Sequence, residues 1–126
     1  MDLRIARHTD RLEAVVEFYR DGLGLPELGG FEDHDGYDGV FLGIPGTGAH
    51  LEFTSGGDHA APGPHPESLL VLYVDDEEAL GAIAARLGTD PVEPANPYWA
   101  EQGVTYEDPD GFRVVLVAGR HGCISP

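Results

Sequence analysis

One signature occurs twice in this chain, and it limits what the chain can fold into. Asp10 opens DRLEAVVEFYRDG and Asp75 opens DDEEALGAIAARLG. In the first stretch Leu12, Val15, Val16 and Tyr19 recur at i, i+3, i+4 and i+7, which is one face of a helix. In the second, Leu80, Ile83, Ala84 and Leu87 repeat that spacing. Each stretch starts with an aspartate able to cap a helix. Glu13 or Glu78 stands three residues on in the reciprocal position, and Gly22 or Gly88 supplies the stop. The two aspartates stand 75 − 10 = 65 residues apart, about half of the 126. A short apolar run precedes each, at residues 3–6 and 69–74.

Strand signals follow each helix. In the first half, residues 40–44 and 50–54 read as strands around the turn Pro45-Gly46-Thr47-Gly48, with a weaker strand at 28–32. In the second half, residues 103–107 and 112–117 flank Asp108-Pro109-Asp110-Gly111, where Pro and Gly sit at positions a tight turn favours. A weaker strand is expected at 91–93. Residues 56–67, GGDHAAPGPHPE, show no periodicity and read as a linker. The expected organisation is therefore α+β: a βαβββ module at 1–55, the linker, a second βαβββ module at 68–118 and a tail at 119–126. One such module leaves a sheet face uncovered, so two modules or two chains must cover each other, and the cleft between them suits a small ligand.

Charge narrows the partners. With 7 Lys+Arg against 23 Asp+Glu the net charge is −16. A phosphate backbone or an anionic membrane calls for clustered bases, so neither nucleic acid nor membrane is expected. The surplus acid reads mainly as a solubility surface that also permits a cationic ligand. The single Cys123 allows no intrachain disulfide, and no run approaches about 18 apolar residues. A cytoplasmic protein is expected. No catalytic triad order, nucleophile elbow, phosphate-cradling loop or CxxC pair is visible.

Several stretches together carry a family likeness. These are Phe18-Tyr19-Arg20-Asp21-Gly22-Leu23-Gly24-Leu25, His50-Leu51-Glu52-Phe53, Leu72-Tyr73-Val74-Asp75, and the segment from Glu107 through Asp108-Pro109-Asp110-Gly111 to Leu116. The chain resembles the vicinal oxygen chelate superfamily, which includes glyoxalase I, extradiol dioxygenases, fosfomycin-resistance enzymes and bleomycin-binding proteins. The segments from His34 to Gly39 and from Asn96 to Trp99 look like those of a bacterial subgroup with no assigned activity. The resemblance implies a glyoxalase-like fold and a homodimer. In metal-dependent members four strands each supply one ligand, and those positions fall here on Arg4, Glu52, Leu69 and Val115. Only Glu52 is able to hold a cation, because a guanidinium has no acceptor and alkyl groups offer nothing. No metal and no cofactor are therefore expected.

An ion pair between Arg4 and Glu52 is expected in the metal's place, with Arg113 as the alternative partner of Glu52. It serves either as a structural bridge or as a ligand contact. Alternation puts His50 and Thr54 on the face of Glu52, and Arg4, Ala6 and His8 on one face of the first strand. An off-pattern metal cluster of His8, His34, His50 and Glu52 is the less favoured arrangement. The segment from His34 to Gly39 is a turn, or a loop that brings His34 or Tyr37 to the cleft. Tyr98 and Trp99, after a Pro-rich stretch, are either core cover or a lid over a ligand. Tyr73, Tyr106 and Phe53 read as sheet packing, and His59, His65 and His121 as solvent-facing. The expected function is metal-free binding of a small molecule, with a cationic drug or metabolite among the candidates. The alternative is a metal-dependent lyase, transferase or dioxygenase with an altered site.

Overall fold

Each half of the chain lays its first strand parallel to its last, with a helical crossover between them. The computed structural model describes residues 1–119, so Cys123 and His121 lie outside the described residues. The chain divides into two compact units, Met1–Pro62 and from Gly63 onward. The first unit holds β1 (Arg4–His8), α1 (Leu12–Val16) running on into a π-helical segment (Glu17–Gly22), β2 (Glu27–His34), β3 (Tyr37–Gly43) and β4 (His50–Gly56). Its sheet has the order β1-β4-β3-β2, with β1 parallel to β4 and the other pairs antiparallel. The second unit holds β5 (Leu69–Val74), α2 (Glu77–Leu87), α3 (Pro97–Gln102), β6 (Val104–Glu107) and β7 (Arg113–Ala118). Its order is β5-β7-β6, with β5 parallel to β7.

In the first unit the two faces of the sheet separate by chemistry. Leu51 and Phe53 of β4 and Leu42 of β3 are buried, as are Val15, Val16 and Tyr19 of the helix. The Tyr19 ring lies 4.8 Å from that of Phe53, so the helix covers this face. Strand alternation then puts Arg4, Ala6, His8, His50, Glu52 and Thr54 on the opposite face.

The helix starts differ from expectation. Asp10 does not cap α1. The N-cap is Arg11, whose backbone N–H bonds to Thr9 Oγ1 at 2.9 Å. The buried Thr9 hydroxyl occupies the position from which it can hold the incoming chain. After Val16 the backbone widens to a π-helix, which keeps Tyr19 buried and carries the chain on to buried Leu23 and Leu25. In α2 the cap is Asp76, not Asp75, and its carboxylate accepts from Ala79 N at 2.9 Å. Gly88 ends α2 at φ 62°, the left-handed conformation glycine adopts at least cost.

Strands run slightly longer than expected in the first half. In the second, the strand anticipated at 91–93 shrinks to a single bridge, Val92 to Thr105. The stretch after it folds as α3, because Asn96 caps Tyr98 N at 3.0 Å and Pro97 fits the first helical position. Phe53 and Tyr106 are buried, as expected of sheet packing, whereas Tyr73 on edge strand β5 is 38% exposed.

Candidate functional site

The open face of the first sheet brings charged and aromatic side chains together by register alone. Arg4 pairs with His50, Ala6 with Glu52 and His8 with Thr54 across the parallel ladder. Phe41 stands opposite Glu52 on β3. Arg4 Nε donates to His50 Nε2 at 2.8 Å, and Arg4 Nη1 reaches Glu52 Oε1 at 3.4 Å. The guanidinium carbon lies 4.7 Å from the centre of the Phe41 ring, a cation–π distance. The Arg4 side chain is 52% exposed and that of Glu52 only 15%. The acid is thus sheltered under a base that faces outward. Accepting at Nε2 requires His50 to be neutral with its proton on Nδ1. A proton on Nε2 and the Arg4 bond exclude each other.

An aromatic wall continues from this cluster. Phe31 and Phe41 have ring centres 5.9 Å apart. The space where Gly39 would carry a Cβ is filled by the far end of the Phe31 ring, so that ring reaches across to β3. On the same face His8 Nδ1 lies 3.3 Å from Thr54 Oγ1. The His8 ring meets Tyr37 edge-on at 6.4 Å and His59 at 6.3 Å, while Tyr37 and His59 stack at 6.4 Å. His59, expected to face solvent, is exposed by area yet returns from the linker to this ring cluster.

Other expected site residues lie elsewhere. The segment from His34 to Gly39 forms a two-residue hairpin turn at Asp35 (φ 53°) and Gly36 (φ 87°), whose positive angles are those the tightest hairpins require. His34 is 78% exposed there and stands 3.8 Å from Asp35. Arg113 belongs to the second unit, where Glu107 takes its Nε at 3.2 Å and the Glu93 carbonyl its Nη1 at 3.1 Å. Tyr98 and Trp99 pack edge-to-face at 4.9 Å on α3, so a helix replaces the expected loop.

The alternative cluster of His8, His34, His50 and Glu52 is not assembled. His50 is bonded to Arg4, His8 faces Tyr37 and His59, and His34 sits on the hairpin turn. Among the described residues no group of three or more His, Cys, Asp or Glu is placed to hold a metal ion. Of the positions that the resemblance assigns to metal ligands, Arg4 in the first unit and Leu69 and Val115 in the second carry no cation-binding side-chain atom, and Glu52 has a guanidinium on it.

Sequence reasoning missed Phe41. Its signal was the antiparallel register through the turn at 45–48, which puts it opposite Glu52. His59 gave no local signal at all.

The fold is that of the glyoxalase-like proteins of the vicinal oxygen chelate superfamily. A glyoxylase/bleomycin resistance protein/dioxygenase domain from Frankia sp. EAN1pec has the same fold, with a TM-score of 0.70 over 94% of this chain and 91% of that one at 17% identity. The chain belongs to the YycE-like family: the model of the YycE-like N-terminal domain matches residues 3–54, and that of the YycE-like C-terminal domain matches 67–118. The uncharacterized protein YycE of Bacillus subtilis (strain 168) is 50% identical over 119 residues, 91% of this chain and 86% of that protein. A crystal structure of a YycE protein of unknown function from Bacillus subtilis superposes with a TM-score of 0.88 at 46% identity, covering 98% of this chain and 93% of that one. No helix among the described residues is long and apolar enough to cross a membrane.

Proposed function

We propose that this chain is a metal-free, small-molecule-binding protein that works as a cytoplasmic homodimer, with Arg4, His50, Glu52 and Phe41 as its ligand platform. One observation carries the reading. The Arg4 guanidinium lies on Glu52 at 3.4 Å and over Phe41, and the resemblance implies that Arg4 and Glu52 stand at the first half's metal-ligand positions. A structural salt bridge is a weaker account of this pair. Half-exposed ion pairs contribute little to stability, about 0–1 kcal/mol, so stability alone is a poor reason to place one on this sheet face against the Phe41 ring.

The platform holds one base and one acid, so the surplus negative charge of the chain does not concentrate there. Cationic drugs remain candidate ligands of the acidic surface, but the platform itself asks for a ligand of mixed polarity.

The test is competitive. Titration with Mn²⁺, Ni²⁺ and Zn²⁺, followed calorimetrically, is expected to give no stoichiometric site. A ligand-observed NMR screen is expected to give hits that Arg4→Gln abolishes. A divalent ion bound one per chain through Glu52 and His50 would sink the metal-free reading in favour of a metal-dependent enzyme. Sedimentation at twice the 13.5 kDa of one chain checks the dimer.

A further inference from the structure

The geometry points to a ligand class for this platform: small carboxylic acids bearing a hydroxyl or ammonium on the adjacent carbon, with an apolar substituent. Arg4 would take the carboxylate and Glu52 the neighbouring donor. This inference rests on the metal-free binding role proposed above.

The argument is one of unfilled hydrogen bonds. A guanidinium carries five N–H donors. His50 takes the one on Nε and Glu52 takes one on Nη1, so three have no partner among the described residues. Glu52 accepts at Oε1, and its Oε2 has no partner among the described residues. Charged groups that solvent reaches are ordinarily satisfied by water. A ligand that covers them displaces that water and must replace both sets of bonds, or leave a charged group unsatisfied. A plain carboxylate would meet Arg4 but stand beside Glu52 as a like charge. A plain amine would meet Glu52 but stand beside Arg4. A molecule carrying an oxyanion and a donor on adjacent atoms satisfies both members of a pair whose own contact, at 3.4 Å, is loose.

Two further features favour this occupant. Phe41 and His50 both hold the guanidinium, which limits the directions its planar fork takes and suits a planar carboxylate. Phe31 and Phe41 extend from it as a half-buried apolar wall, which suits a hydrocarbon or aromatic substituent.

Four probes that share a phenyl ring separate the contributions in the unmodified protein: mandelate (carboxylate and hydroxyl), phenylglycine (carboxylate and ammonium), phenylacetate (carboxylate alone) and benzylamine (amine alone). Affinities are read by NMR, with the Arg4 Nε–H and His50 ring signals as site reporters. Mandelate and phenylglycine are expected to bind about tenfold tighter than either single-function probe, the worth of one charge-assisted hydrogen bond. Glu52→Gln is expected to shrink the gap between phenylglycine and phenylacetate to about twofold, and Arg4→Lys to weaken all three acids; circular dichroism confirms that both variants fold.

Phenylacetate binding as tightly as mandelate, benzylamine binding tightest, or no shift at Arg4 with any probe would each overturn the ligand class. In those cases the metal-free reading survives if the divalent-ion titration stays silent. It falls with the ligand class only if Glu52 and His50 take up a metal.

Discussion

Arg4 Nε and His50 Nε2 lie 2.8 Å apart across a parallel ladder, so the guanidinium of this face is positioned by an imidazole acceptor. Nitrogen-15 NMR of the imidazole is expected to show the Nδ1–H tautomer. His50→Phe removes the acceptor at a site water can reach, so its stability cost is expected to be at most about 1 kcal/mol. Urea unfolding checks this. A loss above about 2 kcal/mol would mark the contact as structural.

Cap assignment separates two adjacent aspartates. Asp76 holds Ala79 N, and Asp75 does not appear in that contact. Asp76→Ala is expected to destabilise by about 1 kcal/mol, whereas Asp75→Ala stays within about 0.5 kcal/mol of the parent. Paired chemical denaturation curves decide it, and equal effects would contradict the assigned helix start.

Gly57 makes room for Tyr37. It adopts φ +65°, and a Cβ there would come within 2.5 Å of the Tyr37 hydroxyl oxygen. Gly57→Ala carries the left-handed backbone penalty of about 1–2 kcal/mol and also pushes on the Tyr37 ring. Loss of the His59 ring-current shift from Tyr37 is expected alongside lower thermal stability. An unchanged His59 spectrum would show that the ring cluster does not depend on this glycine.

The π-helical segment ends in a charge relay on the surface. Arg20 donates to Asp21 at 3.0 Å and to Glu27 at 3.0 Å. The Arg20 hydrogen bond holds the Asp21 carboxyl below its ordinary value of 3.8, and the same contacts push the Arg20 guanidinium up. A carboxyl whose folded pKa is depressed stabilises above its unfolded value and loses that contribution as pH falls through the folded one. Asp21→Asn is therefore expected to lower the unfolding midpoint slightly at about pH 7 and to leave a smaller difference from the parent at about pH 3. A difference that grows toward acid pH would reverse the sign of the argument.

How far the sequence reveals these features depends on how local each cause is. Both halves and α2 with its Gly88 stop were legible, because periodicity acts over short, regular stretches, whereas the Arg4–Glu52 pair came from the ligand positions that the family resemblance implies. The π-helix was not. Inserting one residue per turn after Val16 leaves Val15, Val16 and Tyr19 buried, so the apolar pattern reads the same as an α-helix. Asn96-Pro97 was a helix start in plain view, a capping side chain followed by proline, but Trp99 beside it drew the stretch toward a lid. Thr9 and Asp10 are both capping residues, and only the approach of β1 decides between them. The return of His59 to Tyr37 joins residues that no local pattern connects.

In both units the opening strand lies at the sheet edge, directly beside the strand that closes the unit. Each half thus completes its own ladder from its own strands. What the halves share is a strand, a helix and a closing parallel strand, the first sheet being one strand wider than the second. Because each ladder is complete in its own half, the two halves are candidates for expression as separate polypeptides, cut within residues 56–67, where no strand ladder is severed beyond Gly56.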